Sequence, residues 1–450
     1  MTTMRQSIAA TRFGTGLRPG AAPPDRAEDL LAELAAGAST PMLIPPSPLA
    51  ERAAAFKAFR EARRADPDGM EMKGQRRGMR EEFRRDSVAR VLQRAFGAHP
   101  FFERLSAFWA DNFTTSARGL ALVMLVPTHE PEAIRPHVAG RFADLLKAAV
   151  LHPAMLAYLD QSASVGPNSP AGKRRDRGLN ENLAREVLEL HTLGADGPYS
   201  QKDVTEFAEL LTGFMVNVGT GERIFRPRVA EPGAETVLGR SYGGGQASPS
   251  DAEAFLEDLA VHPGTARHLS HKLAAHFIAD APPADMVARM EQEWLRTKGE
   301  LTAVYAAMLD HPAAWSDDRA KIRQPVEIIA AALRATGAKP DDLDPDRRQL
   351  QTGVIGGLSR LNQPMFRAPG PDGWPEDAAA WITPQGLAAR LDWATKMGRV
   401  FAERGLDPRR YAINALGALA DDELRFLVGA AAEKWEGFAL ALASPAFNRR

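Results

Sequence analysis

Apolar residues return every three or four positions along most of this chain, the repeat that places them on one side of an α-helix. Residues 27–36 show it, and 49–66 repeat it with Arg and Glu on the other face. It continues through 73–94, 101–113, 132–151, 154–160, 181–193 and 201–214. It resumes at 251–260, 264–279, 284–297, 299–310 and 325–336, and closes with 385–404, 408–417, 420–431 and 433–443. The pattern predicts a mainly α fold. At 450 residues the chain can bury a large core, so we expect a single multi-helix domain over 1–450. No fixed-period repeat is present, which argues against a solenoid.

Two stretches break the pattern. In 218–246, Ile224, Phe225, Val229, Thr236, Val237 and Leu238 lie among Gly and Pro, which predicts a short β-hairpin near 223–239. Gly243, Gly244 and Gly245 follow no strand-to-helix phosphate loop and are expected to form a flexible turn. Residues 362–384 form a loop rich in Pro and Gly that carries Trp374 and Trp381. Loops of this length inside a compact domain are usually functional or mobile. Other boundaries are marked locally. Pro153 ends the helix before it. Asn180 is the expected N-cap of the 181–193 helix, Gly194 its stop, and Ser200 with Asp203 resembles a capping box. The 73–94 helix alternates Lys73, Arg76, Arg77, Arg80, Arg84 and Arg85 with Glu81, Glu82 and Asp86, as a solvated face with i,i+4 pairs does.

Composition excludes several functions. The formal net charge is −1, so no global field draws nucleic acid or an anionic membrane, and no nucleic-acid partner is expected. Cysteine is absent, which removes disulfides, a thiol nucleophile and thiolate zinc sites. No apolar run is long enough to span a bilayer. The N-terminus lacks an apolar signal core and a twin-arginine pair, which points to the cytoplasm for the chain as written.

Chemistry concentrates at 178–194. On a helical wheel Glu181, Arg185 and Glu189 form one ridge of i,i+4 neighbours, while His191 shares the stripe of Ala184, Val187 and Leu188 and points inward. Glu189 and His191, roughly 200° apart, cannot chelate one ion. Glu186 sits at the margin of the buried stripe. Strongly apolar helices on both sides suggest a central helix with Arg185 buried and paired. His268 and His271 share a face with Arg267 and Lys272 and are expected to be solvated, whereas His276 falls in an apolar stripe. No zinc motif and no Glu-x-x-His pair occurs, so no metal ligands are assigned; any cofactor is left unknown.

These residues carry a resemblance. Asn180-Glu181-Asn182-Leu183-Ala184-Arg185-Glu186, followed by Glu189-Leu190-His191-Thr192-Leu193-Gly194, resembles the hallmark of the bacterial domain of unknown function 1800 (DUF1800) family. Arg12-Phe13-Gly14, His152-Pro153-Ala154-Met155-Leu156, Ser164-Val165-Gly166-Pro167-Asn168-Ser169, Thr236-Val237-Leu238-Gly239, Gly373-Trp374-Pro375 and Ala443-Ser444-Pro445-Ala446-Phe447 extend it over nearly the whole chain, from about residue 7. The resemblance implies no settled reaction. It implies a context: many members look exported and sit beside a sulfatase-like or phosphatase-like partner, which gives a periplasmic or exported location as the alternative. Two departures stand out. The family usually has His near Asn112 and at Ala230.

Two functions follow as expectations. One is a non-catalytic cell-envelope or assembly partner of a sulfatase- or phosphatase-like protein, favoured by Asn112 and Ala230. The other is an enzyme, a hydrolase or metal-dependent, with a polar pocket built from 162–169, the 180–193 helix and the Trp374 loop. In it Arg185 would hold an anionic group, Glu186 or His191 would handle a proton, and Asn168, Asn180 and Trp374 would bind substrate.

Overall fold

The computed structural model describes residues 2–174, 178–217, 219–339 and 342–450. It is mainly helical, with two antiparallel two-stranded sheets among the described residues. Most periodic windows became helices. Those that position the site are α1 (Leu49–Ala65), α2 (Met70–Phe96), α3 (Pro100–Asn112), α4 (Asn182–Glu186), α5 (Gln201–Leu210), α6 (Pro263–Phe277), α7 (Pro325–Ala335), α8 (Pro384–Glu403) and α9 (Lys434–Ala443). Ser200 and Asp203 form the expected capping box on α5.

Some expectations need correction. The predicted 132–151 helix is broken: a π turn Glu130–Ile134 and a 3-10 turn Arg135–His137 precede a helix Phe142–Val150. Pro136, which cannot donate a backbone N–H, and Gly140 interrupt the ladder. Helices Leu120–His129 and Arg348–Arg360 were not anticipated. The β region is two hairpins: β1 (Phe214–Val216) pairs with β2 (Arg223–Phe225), and β3 (Gly233–Val237) with β4 (Arg240–Gly245). The first strand uses residues at the end of the predicted 201–214 helix, which stops at Leu210. Gly243 to Gly245 lie inside β4 rather than in a turn, with a register shift opposite Gly233 and Ala234. Residue 218 of the predicted hairpin region and residues 175–177 of the loop before α4 lie outside the described residues.

Two large apolar cores organise the chain. The first joins Phe13, α3, the 142–150 helix, α4, α5, α6 and the helices Ala284–Thr297 and Leu301–Leu309. Its centre is aromatic: Trp109 Nε1 donates to Tyr305 Oη at 2.6 Å, and that hydroxyl donates to the Val138 carbonyl at 3.0 Å, so neither buried polar tip is orphaned. The second joins the C-terminal half of α2 to α7, α8, α9 and the helices Pro408–Leu416 and Asp422–Ala430. The C-terminal half of α2 and the polar face of α3 lie where the two cores meet.

Candidate functional site

That junction holds a cavity of about 100 Å³, lined by residues of α2, α3, α6, α7 and the 362–384 loop. Helical periodicity explains its walls. Phe101, Phe102, Phe108 and Trp109 turn one side of α3 into the first core. Glu103, Arg104, Ala107, Ala110 and Asp111 then recur at three and four on the side facing the cavity. Arg90 and Arg94 come from successive turns of α2, and Val326, Glu327 and Ala330 from the start of α7.

The cavity wall is densely ionic. Arg135 grips Glu103 through two bonds of 2.6 and 2.9 Å, and Gln93 adds a third at 2.6 Å. Arg90 pairs with Glu130. Glu327 takes Arg104 at 2.6 Å and Arg450 at 3.1 Å, and also accepts the Gln324 backbone N–H at 2.9 Å. Burial pushes the Glu327 carboxyl up, but Arg104, Arg450 and His276 outweigh it and hold it at about 2. Bidentate and shared charge-assisted bonds of this kind offset the cost of burying the ions.

A second chain of contacts runs from α6 to the loop. Arg104 Nε donates to His276 Nε2 at 3.3 Å. A guanidinium can only donate, so Nε2 is the acceptor and the imidazole proton sits on Nδ1. From there it donates to Glu376 at 2.5 Å. Burial lowers the His276 pKa to about 4, against the pull of Glu376, so the ring is neutral near pH 7. Burial raises Glu376, yet His276, Lys321 and Arg450 reverse that and hold it well below its ordinary value.

Asp111 behaves in the opposite way. Burial and the nearby Glu376 charge push its carboxyl up to about 7; the Trp374 backbone N–H, Lys272 and Arg94 only partly counter them. The Trp374 N–H reaches it at 3.1 Å. Gly373 permits that approach: its φ is +83°, and a Cβ there would meet Asp111 Oδ2 at 2.7 Å and the Asp111 carbonyl at 2.8 Å.

Of the residues singled out from sequence, Trp374 and the core His276 reach this cavity. The others lie elsewhere. His191 is fully buried with Ala184, Val187 and Leu188, as the wheel predicted. It packs on Phe113 at 5.2 Å, neither ring nitrogen has a hydrogen bond of good geometry, and burial with Lys272 lowers its pKa to about 3. It lies on a π turn, Val187–Thr192, that continues α4, a feature frequent at functional positions. The burial expected for Arg185 is corrected: its side chain is 37% exposed and pairs with Glu181 at 2.9 Å and Glu189 at 3.5 Å. The apolar helices cover the His191 side alone, leaving the charged ridge at the rim beside Gln201. Glu186 is half-buried, and burial, Glu189 and Asp372 raise its pKa. Asn168 binds Glu231 through its backbone N–H at 2.8 Å and its side chain at 2.6 Å. Asn180 ties the loop to the Leu159 and Asp160 carbonyls and accepts from Asn182 N–H at 3.0 Å. The helix starts one residue later than expected, with Glu181 at its boundary.

Two further placements differ from expectation. Lys272 is not a solvated neighbour of His271: it reaches inward to Asn112 Oδ1 at 2.6 Å, so an amide meets a cation where the resemblance expects His. His268 is half-buried, with its pKa lowered to about 4 by burial and then Lys272. Unanticipated too is a trio of half-buried acids, Glu206 and Glu209 of α5 with Glu235 of β3, whose carboxylate oxygens lie within 4.8 Å of one another. Burial and then Glu209 push Glu235 up to about 8. The cavity residues were missed because charges at three-and-four spacing look like a solvent face. The available signal was the acid Asp111 at the end of a helix rich in aromatic residues, followed far downstream by Gly373-Trp374.

The fold and the charged interior define the class: a helical protein with an ionic cavity between two apolar cores. Within that class the chain belongs to the family described as Protein of unknown function (DUF1800), whose model matches residues 8–449. Comparison with curated proteins and with solved structures gave no match. No helix among the described residues is long and apolar enough to cross a membrane.

Proposed function

We propose that the chain is an enzyme that moves a proton on a small polar molecule held in the cavity between α2, α3, α7 and the 362–384 loop. The supporting observation is the split between two carboxyls that line it. Asp111 is driven up to about 7 and Glu376 is held ionised. A pair whose environments push its members apart supplies an acid and an anion at one pH. Asp111 is the general acid; the Glu376 carboxylate, fixed by His276, stays ionised and stabilises positive charge. Incubating the protein with a mixed metabolite extract and following depletion by mass spectrometry tests this. Depletion by the wild type that Asp111→Asn and Glu376→Gln abolish is the expected result. Equal depletion by the variants, or none by the wild type, would count against the reading.

The set Arg185, Glu186, His191, Asn168 and Asn180 is a second candidate site of the same class, supported by the raised pKa of Glu186 facing Asp372 of the Trp374 loop. A non-catalytic role beside a sulfatase- or phosphatase-like partner has one observation in its favour. Leu387 and Leu391 of α8, Ile413 and Phe426 are exposed apolar residues on the C-terminal helices, with Phe426 at 72%. Co-purification of the tagged chain from its native host, with and without Phe426→Ser, tests that role.

A further inference from the structure

The charges around the cavity identify the chemistry of its occupant, and this step rests on the cavity being the site. Arg90, Arg104 and Arg135 each have a carboxylate at bonding distance, in Glu130, Glu327 and Glu103. Lys321 has Asp280 at 2.5 Å and Glu376 at 3.4 Å. Arg94 has none among the described residues, and its Nε is buried without an acceptor. An arginine does not shed its proton inside a protein, so Arg94 places an unmatched positive charge at the wall. Asp111 is the matching oddity: it lines the cavity without a cation at bonding distance among the described residues, and the Trp374 N–H is the hydrogen bond its side chain receives from them.

We propose that the cavity takes the carboxylate of a short-chain organic acid, with Arg94 as its counter-charge and the Asp111 carboxyl donating a hydrogen bond to one of its oxygens. Of the three arginines that line the cavity, Arg90 and Arg104 are paired and Arg94 is the one without a carboxylate among the described residues, so a single anionic group beside it suffices. A phosphate dianion would set a second negative charge against Glu376 and Glu327, which a carboxylate avoids. The rest of the wall suits a small apolar stem: Ala107, Ala110, Val326, Ala330 and Ala368. At about 100 Å³ the space is smaller than the ~150 Å³ that holds a benzene ring, so the stem is a few carbons long. Every other lining carboxylate already has a cation, which disfavours a cationic ligand.

The bond from Asp111 makes binding depend on pH. Asp111 faces Glu376 from the loop, Lys272 from α6 and Arg94 from α2. Below pH 7 it is protonated and donates. Above pH 7 it ionises, repels the ligand and competes for Arg94, so affinity falls as pH rises.

Calorimetric titration of the full chain with acetate, propionate, butyrate and inorganic phosphate, below and above pH 7, tests the proposal. The carboxylates should bind, more tightly at the lower pH, and phosphate should bind at least tenfold more weakly. Arg94→Gln should weaken carboxylate binding at least tenfold. Asp111→Asn, which keeps a donor without a charge, should bind at both pH values alike. Phosphate binding as tightly as the carboxylates, Arg94→Gln binding like the wild type, or no carboxylate binding at all would overturn it. Binding is read without turnover. Carboxylate binding that needs Arg94 in a protein without depletion activity defeats the proton-transfer reading alone, and activity that survives Arg94→Gln without carboxylate binding defeats this inference alone.

Discussion

The helical turn 182–192 and the cavity between the cores are two polar regions of one protein that behave in opposite ways. The first is dense with chemistry in sequence and divided in space. Its charges, Glu181, Arg185 and Glu189, pair with one another at the rim, and its His191 is sealed in apolar packing. The ions of the second are scattered from Arg90 to Arg450 and assembled only by folding. Its ions reach across helices, and each pairing depends on where another element lies. A compact run of polar residues can satisfy itself locally, whereas groups held by distant partners are left with perturbed pKa values and unmatched charge.

Four measurements break or sharpen that contrast. The largest effect is expected at Glu327. Glu327→Ala strands Arg104 and Arg450, and equilibrium denaturation should show a loss of about 3–5 kcal/mol. A loss below about 1 kcal/mol would mean that the cavity network is no tighter than the surface ladder.

Next is the acid limb of stability. Glu327 titrates at about 2 in the fold, below its ordinary value of 4.5. Its contribution is therefore complete above pH 4.5 and lost as pH falls through about 2, worth about 3 kcal/mol by linkage. His276 adds an earlier loss: lowered from 6.5 to about 4, it costs stability as pH falls through that window, because the unfolded chain takes up the proton first. Asp111, raised to about 7, opposes the His276 loss in the same window, so urea denaturation across pH 2 to 7 should show that loss most clearly in Asp111→Asn, while Glu327→Gln should shrink the lower limb and leave the part that Glu376 contributes.

His191 separates packing from chemistry. His191→Ala should cost about 2–4 kcal/mol through the hole it leaves. His191→Leu should fold within about 1.5 kcal/mol of the wild type, because neither imidazole nitrogen has a hydrogen bond of good geometry for leucine to forfeit. A leucine variant with wild-type thermal stability but no metabolite depletion would return the site to the 182–192 segment.

The smallest effect is expected at Arg185. As a ridge residue 37% exposed, it should cost no more than about 0.5–1 kcal/mol on Arg185→Ala, read by the same denaturation. A loss of several kcal/mol would restore the central, fully covered helix that the flanking apolar segments suggest.

The amino-acid sequence by itself determined the helical class, the capping box at Ser200, the inward turn of His191 and the burial of His276, because each depends on spacing within one element. The family resemblance was legible for the same reason: its motifs are contiguous. Neighbours within a few residues are set first by backbone geometry, and at these positions the packing of the rest of the chain left that local pattern intact. The break at Pro136 was legible in principle and was outvoted by the apolar repeat on either side. Only the tertiary structure decided which charged faces meet water and which meet each other. Arg94 and Arg185 belong to the same kind of pattern, charges at helical spacing beside apolar neighbours. One became an unmatched cation at a cavity and the other a rung of an exposed ladder. The difference lies in what packs opposite: α3, α7 and the Gly373 turn close over Arg94, while among the described residues Arg185 bonds only to Gln201 and to its own helix partners. Electrostatic cost is set by the surrounding dielectric and by partners hundreds of residues away, and a one-dimensional pattern contains neither.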